Sequence, residues 1–136
     1  MATWDDVRRY ALALPDTFEE TGFGGMKTTA WKVRLGKSRG KGFVWERPLH
    51  KSDRAALGAA APSGPILGVR LPDLDMKEVL LARDARVYFT TPHFDGYPAV
   101  LVQLKHVKVK ELKDLVLEAW LATASPKTVE QFLSTR

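Results

Sequence analysis

The sequence predicts an α+β fold in which an antiparallel sheet carries helices on one side. Three observations predict it. Segments that alternate apolar and polar residues, such as 28–35 and 99–105, are joined by short connections rich in Gly and Pro, which suits antiparallel pairing. Segments with apolar residues every three or four positions stand at both ends of the chain and between the strands. The chain has 136 residues, 45% of them apolar. That closes one core and is too small for two of ordinary size, so residues 1–136 are read as a single domain.

The first helix is expected over 3–14. Trp4, Val7, Ala11 and Leu14 recur at helical spacing, Thr3 is suited to cap the first turn, and Pro15 stops it. Residues 16–26 are polar, end in Gly22-Phe23-Gly24-Gly25, and read as a loop. A strand over 28–35, a glycine-rich turn over 36–42 and a strand over 43–45 make a β-hairpin. The register that buries most apolar surface sets Trp31, Val33, Leu35, Phe43 and Trp45 on one face, with Lys32, Arg34 and Glu46 on the other. Residues 47–64 are broken by Pro48, Gly58, Pro62 and Gly64, with a short helix begun by Asp53 and ending at Leu57.

A strand over 66–71 precedes a helix reaching to about Arg83, with Asp75 and Glu78 as its cap and Met76, Val79 and Leu80 as its buried stripe. A strand over 86–91, a loop over 91–98 bracketed by prolines, and a strand over 99–105 follow. His106, Lys108 and Lys110 share parity, and form a second basic stripe only if the chain stays extended there; the plainer reading is a polar lead-in to the next helix. That helix, 110–124, is the clearest of all: Leu112, Leu115, Val116, Ala119 and Trp120 form one apolar stripe. Ser125-Pro126 then opens a last helix. One core is expected from Trp31, Val33, Leu35, Val100, Val102, Leu112, Val116, Ala119 and Trp120.

Composition excludes several classes of function. There are no cysteines, hence no disulfide framework, thiolate metal site or thiol nucleophile. No apolar run is long enough to span a bilayer, so no membrane role is expected. The acidic start, Thr3-Trp4-Asp5-Asp6, lacks the apolar run of a signal peptide, and a cytoplasmic protein is expected.

The net charge of +5 is unevenly spread. Residues 32–54 hold eight bases (Lys32, Arg34, Lys37, Arg39, Lys41, Arg47, Lys51 and Arg54) against two acids, Glu46 and Asp53. The remaining thirteen bases and fourteen acids nearly cancel. Concentrated charge on a near-neutral body suits an anionic partner, although a solvated face that keeps the protein in solution has the same composition. Within this segment Lys37, Arg39 and Lys41 alternate with Gly36, Ser38, Gly40 and Gly42. Glycines let a backbone approach a polyanion closely and the bases can reach its phosphates, but a mobile hairpin tip reads the same way. The spacing is not that of a Walker A loop.

His93 and Asp95, with Thr91 and Tyr97 nearby, are the densest grouping of catalytic residue types. A His–Asp pair can move a proton or supply two metal ligands, but two groups are too few for a metal site and no Ser stands in a nucleophile elbow. Asp95-Gly96 is turn chemistry, so the residues favour a structural turn. No metal and no cofactor is expected. The four tryptophans fall on predicted apolar faces, and stacking on nucleobases would need Trp31 or Trp45 exposed.

Three stretches together resemble the MmcQ/YjbR family of small bacterial proteins. They are Ala13-Leu14-Pro15 with Phe18-Glu19-Glu20; Val33-Arg34-Leu35-Gly36-Lys37; and, most distinctively, Tyr88-Phe89-Thr90-Thr91-Pro92-His93-Phe94-Asp95-Gly96-Tyr97-Pro98 followed by Val100-Leu101-Val102, Glu111-Leu112 and Ala119-Trp120. The resemblance implies a CyaY-like fold, a curved antiparallel sheet with helices packed on one side. It also implies DNA binding through two hairpin wings, here the 36–42 turn and the 93–97 loop. No catalytic residues come with it. The acidic ridge of iron-binding frataxins has no counterpart, since Asp5 and Asp6 stand beside Arg8 and Arg9.

The expected function is therefore non-enzymatic binding of nucleic acid, DNA before RNA, with phosphates contacted by Lys32, Arg34, Lys37, Arg39, Lys41, Arg47 and Lys51. The alternative is a small-molecule-binding protein or unrecognised enzyme with a pocket near Thr91, His93, Asp95 and Tyr97. A third reading is an interaction domain for an acidic protein.

Overall fold

The computed structural model describes residues 2–22, 28–37 and 39–135. Its first helix, α1 (Trp4–Leu12), begins where the sequence predicts. The Thr3 hydroxyl accepts from the Asp6 amide at 3.3 Å and the Asp6 carboxylate accepts from the Thr3 amide at 3.0 Å, a reciprocal cap. Strand β1 (Thr17–Thr21) then occupies part of the expected loop. Its polar side chains hide it from a periodicity argument, but they are tied down: Glu19 accepts from the Trp31 indole and from Arg8, both at 3.0 Å. The rest of that expected loop, 23–27, lies outside the described residues.

Strands β2 (Thr29–Val33) and β3 (Lys41–Glu46) form the predicted hairpin. Then come helix α2 (Lys51–Leu57), strand β4 (Ile66–Arg70), helix α3 (Leu74–Arg83), strands β5 (Tyr88–Phe89) and β6 (Ala99–Gln103), and helices α4 (Val109–Thr123) and α5 (Pro126–Ser134). Among the described residues six strands make one sheet in the order β1-β2-β3-β4-β6-β5, with every neighbouring pair antiparallel. The fold class is the expected α+β.

Trp31, Val33, Val44, Leu67, Val69, Val100 and Val102 on one face of the sheet pack with Val7 and Ala11 of α1 and with Leu112, Val116, Ala119 and Trp120 of α4. The nine residues expected to share a core do so, Leu35 at its margin. Each large side chain so buried contributes about 1.5–3 kcal/mol. Trp120 is fully buried, yet its indole N–H is satisfied by the Pro15 carbonyl at 3.0 Å.

The other face of the sheet is not bare. Ile66, Phe94, Ala99 and Leu101 form a second cluster with Trp45, Leu49 and Phe89. Phe94 comes from a 3-10 turn, Pro92–Phe94, which contacts α2.

The hairpin register differs from the expected one. Trp31 pairs with Val44 but Lys32 pairs with Gly42, so Phe43 is an extra residue in a β-bulge. The slip reverses parity beyond it. Val44 joins Trp31 and Val33 in the core, while Trp45, paired with Ala30 and Gly68, turns to the opposite face. Glu46 falls opposite Leu67 rather than beside Lys32, and accepts from the Thr29 amide at 3.0 Å.

Three smaller expectations also change. Asp73, not Asp75, caps α3 by accepting from the Met76 amide at 2.9 Å; its buried residues are Lys77 and Leu80, while Met76 and Val79 are exposed. Helix α2 starts at Lys51, and Asp53 sits within its first turn, where its carboxylate accepts from the His50 amide at 2.8 Å. The chain turns after β6, with the His106 amide on the Gln103 carbonyl, so His106, Lys108 and Lys110 form no extended stripe.

Candidate functional site

The β2–β3 connection presents its bases to solvent. Lys37, Arg39 and Lys41 are exposed, and so is Arg34, whose guanidinium lies 4.5 Å above the Phe18 ring. Gly36 and Gly40 have φ of 59° and 94°, so both take the left-handed region that side chains resist. A Cβ on Gly40 would also stand 2.9 Å from the Phe18 ring and from the Val33 carbonyl. The turn is thus shaped by glycine, not merely decorated with it. Ser38, in the same turn, lies outside the described residues. Among the described residues none of Arg34, Lys37, Arg39 and Lys41 is in an ion pair.

Two of the predicted contact residues are spent elsewhere. Lys32 is half-buried and paired with Glu20 at 2.7 Å. Arg47 is almost wholly buried. It is 6% exposed, paired with the 2% exposed Asp53 at 3.0 Å, and packed over the Phe94 ring. Burial works to raise the Asp53 pKa, but the His50 amide, the Arg47 guanidinium and the Thr91 hydroxyl outweigh it and hold the carboxyl below its ordinary value. Lys51 is exposed in the first turn of α2.

The second predicted cluster is split by the fold. Thr91 is buried beside Asp53 and unavailable to a ligand. Asp95 is exposed. His93 and Tyr97 do meet, on the outer face of the sheet, where they line a groove of about 400 Å³ with Ala30, Gly42, Trp45, Arg70 and Phe94. The Arg70 guanidinium lies 5.9 Å from the Trp45 ring centre and 6.0 Å from that of Tyr97, and its Nε donates to the Gly42 carbonyl at 2.9 Å.

Lys77 secures the loop that carries His93 and Tyr97. Its ammonium donates to the Phe94 carbonyl at 2.6 Å and to the Tyr97 carbonyl at 2.9 Å. Burial lowers its pKa, and the nearby Asp95 carboxylate opposes that. Sequence reasoning names Trp45 for stacking only if exposed and sets it on the core face, because the bulge is hidden from it. It misses Arg70 and Lys77, which nothing in the strand or helix pattern distinguishes.

A second cleft, about 520 Å³, lies between α3 and α4. Leu71, Met76, Leu80 and Leu115 floor it and charges of both signs rim it. At its edge the Tyr88 hydroxyl donates to Glu111 at 2.5 Å; burial, then the carboxylate, pushes the phenol pKa up. Among the described residues no three His, Asp or Glu gather to hold a metal ion, and no helix is long and apolar enough to cross a membrane.

A profile of the YjbR family matches residues 12–122. Uncharacterised proteins of Mycobacterium bovis and Mycobacterium tuberculosis are each 49% identical over 137 residues, covering 98% of this chain and 98% of theirs. A crystal structure of Deinococcus radiodurans protein DR2400, a DUF419 domain, is similar with a TM-score of 0.66. It matches over 89% of this chain and 78% of that one at 20% identity, so the likeness is one of fold.

Proposed function

The chain belongs to the YjbR family, and on that footing we propose that it binds nucleic acid, DNA first, by gripping phosphates with the β2–β3 hairpin. One observation carries the reading: Arg34, Lys37, Arg39 and Lys41 are exposed on a single glycine-shaped turn, with no carboxylate paired to any of them among the described residues. Unpaired cations on a projecting turn gain most by meeting a polyanion, because each phosphate neutralised releases a condensed counterion. Contacts to phosphate position a protein and carry no base identity, so binding is expected to ignore sequence. Such a role places the protein in the cytoplasm.

Titration of duplex DNA at two salt concentrations tests this. Binding that is indifferent to sequence and weakens steeply with salt supports the reading. No DNA affinity at low salt overturns it.

A further inference from the structure

We propose that the groove beside the hairpin receives an unpaired nucleobase, so that the preferred partner is a single strand of DNA. The proposal rests on the phosphate-binding reading above and adds to it what lies between the phosphates.

The groove offers three planar groups to a planar ligand: the Trp45 indole, the Tyr97 phenol and the Arg70 guanidinium between them. Nucleobases stack on such groups whatever their sequence, because every base has a π-face. The groups are held in advance of any ligand. Gly68 lies so close under the indole that a Cβ there would stand 2.3 Å from the ring. Arg70 is anchored to the Gly42 carbonyl, and Lys77 pins the backbone of Tyr97. Above Gly42 there is open space: a Cβ built there meets nothing within 4 Å.

Charge argues for the same occupant. Among the described residues no carboxylate lines this groove, whereas Glu111, Asp114 and Glu118 line the cleft between α3 and α4. Gly42 follows the turn that carries Lys37 and Arg39, and Arg70 in the groove is in no ion pair among the described residues. Lys41 pairs with Val33 and leaves β3 on the core face, so the turn, not Lys41, brings a bound strand towards the groove. A duplex keeps its bases stacked inside and presents none to a concave site; a single strand can splay one out.

Three probes test the proposal: oligo-dT, a duplex of equal length, and thymidine monophosphate. Base–aromatic stacking contributes about 1–3 kcal/mol per base, so Trp45→Ala should weaken oligo-dT binding about 5- to 150-fold while leaving duplex binding nearly unchanged. Tyr97→Ala, at a residue 47% exposed, should do the same on a smaller scale. Oligo-dT affinity untouched by both substitutions overturns the proposal. Thymidine monophosphate bound as tightly as oligo-dT also overturns it, in favour of a small-molecule site. Salt-sensitive duplex binding without any preference for oligo-dT removes the groove alone. Failure of every probe at low salt removes both the groove and the hairpin reading beneath it.

Discussion

Gly68 and Trp45 are cross-strand partners in which the glycine has no side chain because the indole takes its place. A Cβ on Gly68 would lie 2.3 Å from Cε2 and 2.4 Å from Nε1 of the ring. Gly68→Ala must displace the indole and should cost about 1–3 kcal/mol, the usual range for overpacking. Gly42→Ala, in the adjoining strand, meets open space and should be close to neutral. Denaturant midpoints of the two variants check this, and equal midpoints would contradict the packing described.

The buried Arg47–Asp53 pair predicts a second asymmetry. Removing one partner leaves an uncompensated charge at a site 8% exposed or less, so Arg47→Met or Asp53→Leu should cost about 3–5 kcal/mol. The double variant Arg47→Met/Asp53→Leu should cost less than the sum of the single changes. A double-mutant cycle measures the difference, and strict additivity would mean the pair does not interact.

Asp53 also sets a pH dependence. Its folded pKa is below the ordinary 3.8, so the unfolded chain binds the proton more tightly. The stability it contributes is complete above pH 3.8 and is lost as pH falls through the lower, folded value. Asp53→Asn should flatten that acid limb of the stability curve. Urea unfolding of both proteins across the window reads it, and parallel limbs would count against the lowered pKa.

Lys77→Met removes the donor shared by two loop carbonyls. Buried acceptors left unpaired cost about 1–3 kcal/mol each, so the variant should be less stable and the 92–98 loop should exchange its amide hydrogens faster. Unchanged exchange in that loop would show that Lys77 does not hold it.

Much of this was legible in the sequence. The α4 stripe from Leu112 to Trp120 and the alternation at Val100 and Val102 specify the core, because burial imposes periods of 3.6 and 2. What escaped was what breaks period. A bulge at Phe43 costs one residue and transfers Trp45 to the other face, which no count of apolar positions detects. Lys77 reads as a surface charge until the carbonyls it serves arrive from a loop seventeen residues on. Arg47 reads as part of the basic face because charge is visible in sequence and its pairing with Asp53 is not. Lys37, Arg39 and Lys41 needed no tertiary partner to stand exposed, and their glycine-rich setting predicted as much.

The salt dependence of DNA binding by Lys37→Gln/Arg39→Gln/Lys41→Gln, set beside the parent protein, tests the central claim most directly. The triple substitution removes about three phosphate contacts, so the log–log salt slope should flatten by roughly 2 to 3 units. The melting temperature should hardly move, because exposed charges contribute little to stability. An unchanged slope and affinity in a folded triple variant would show that the hairpin is not where the phosphates bind.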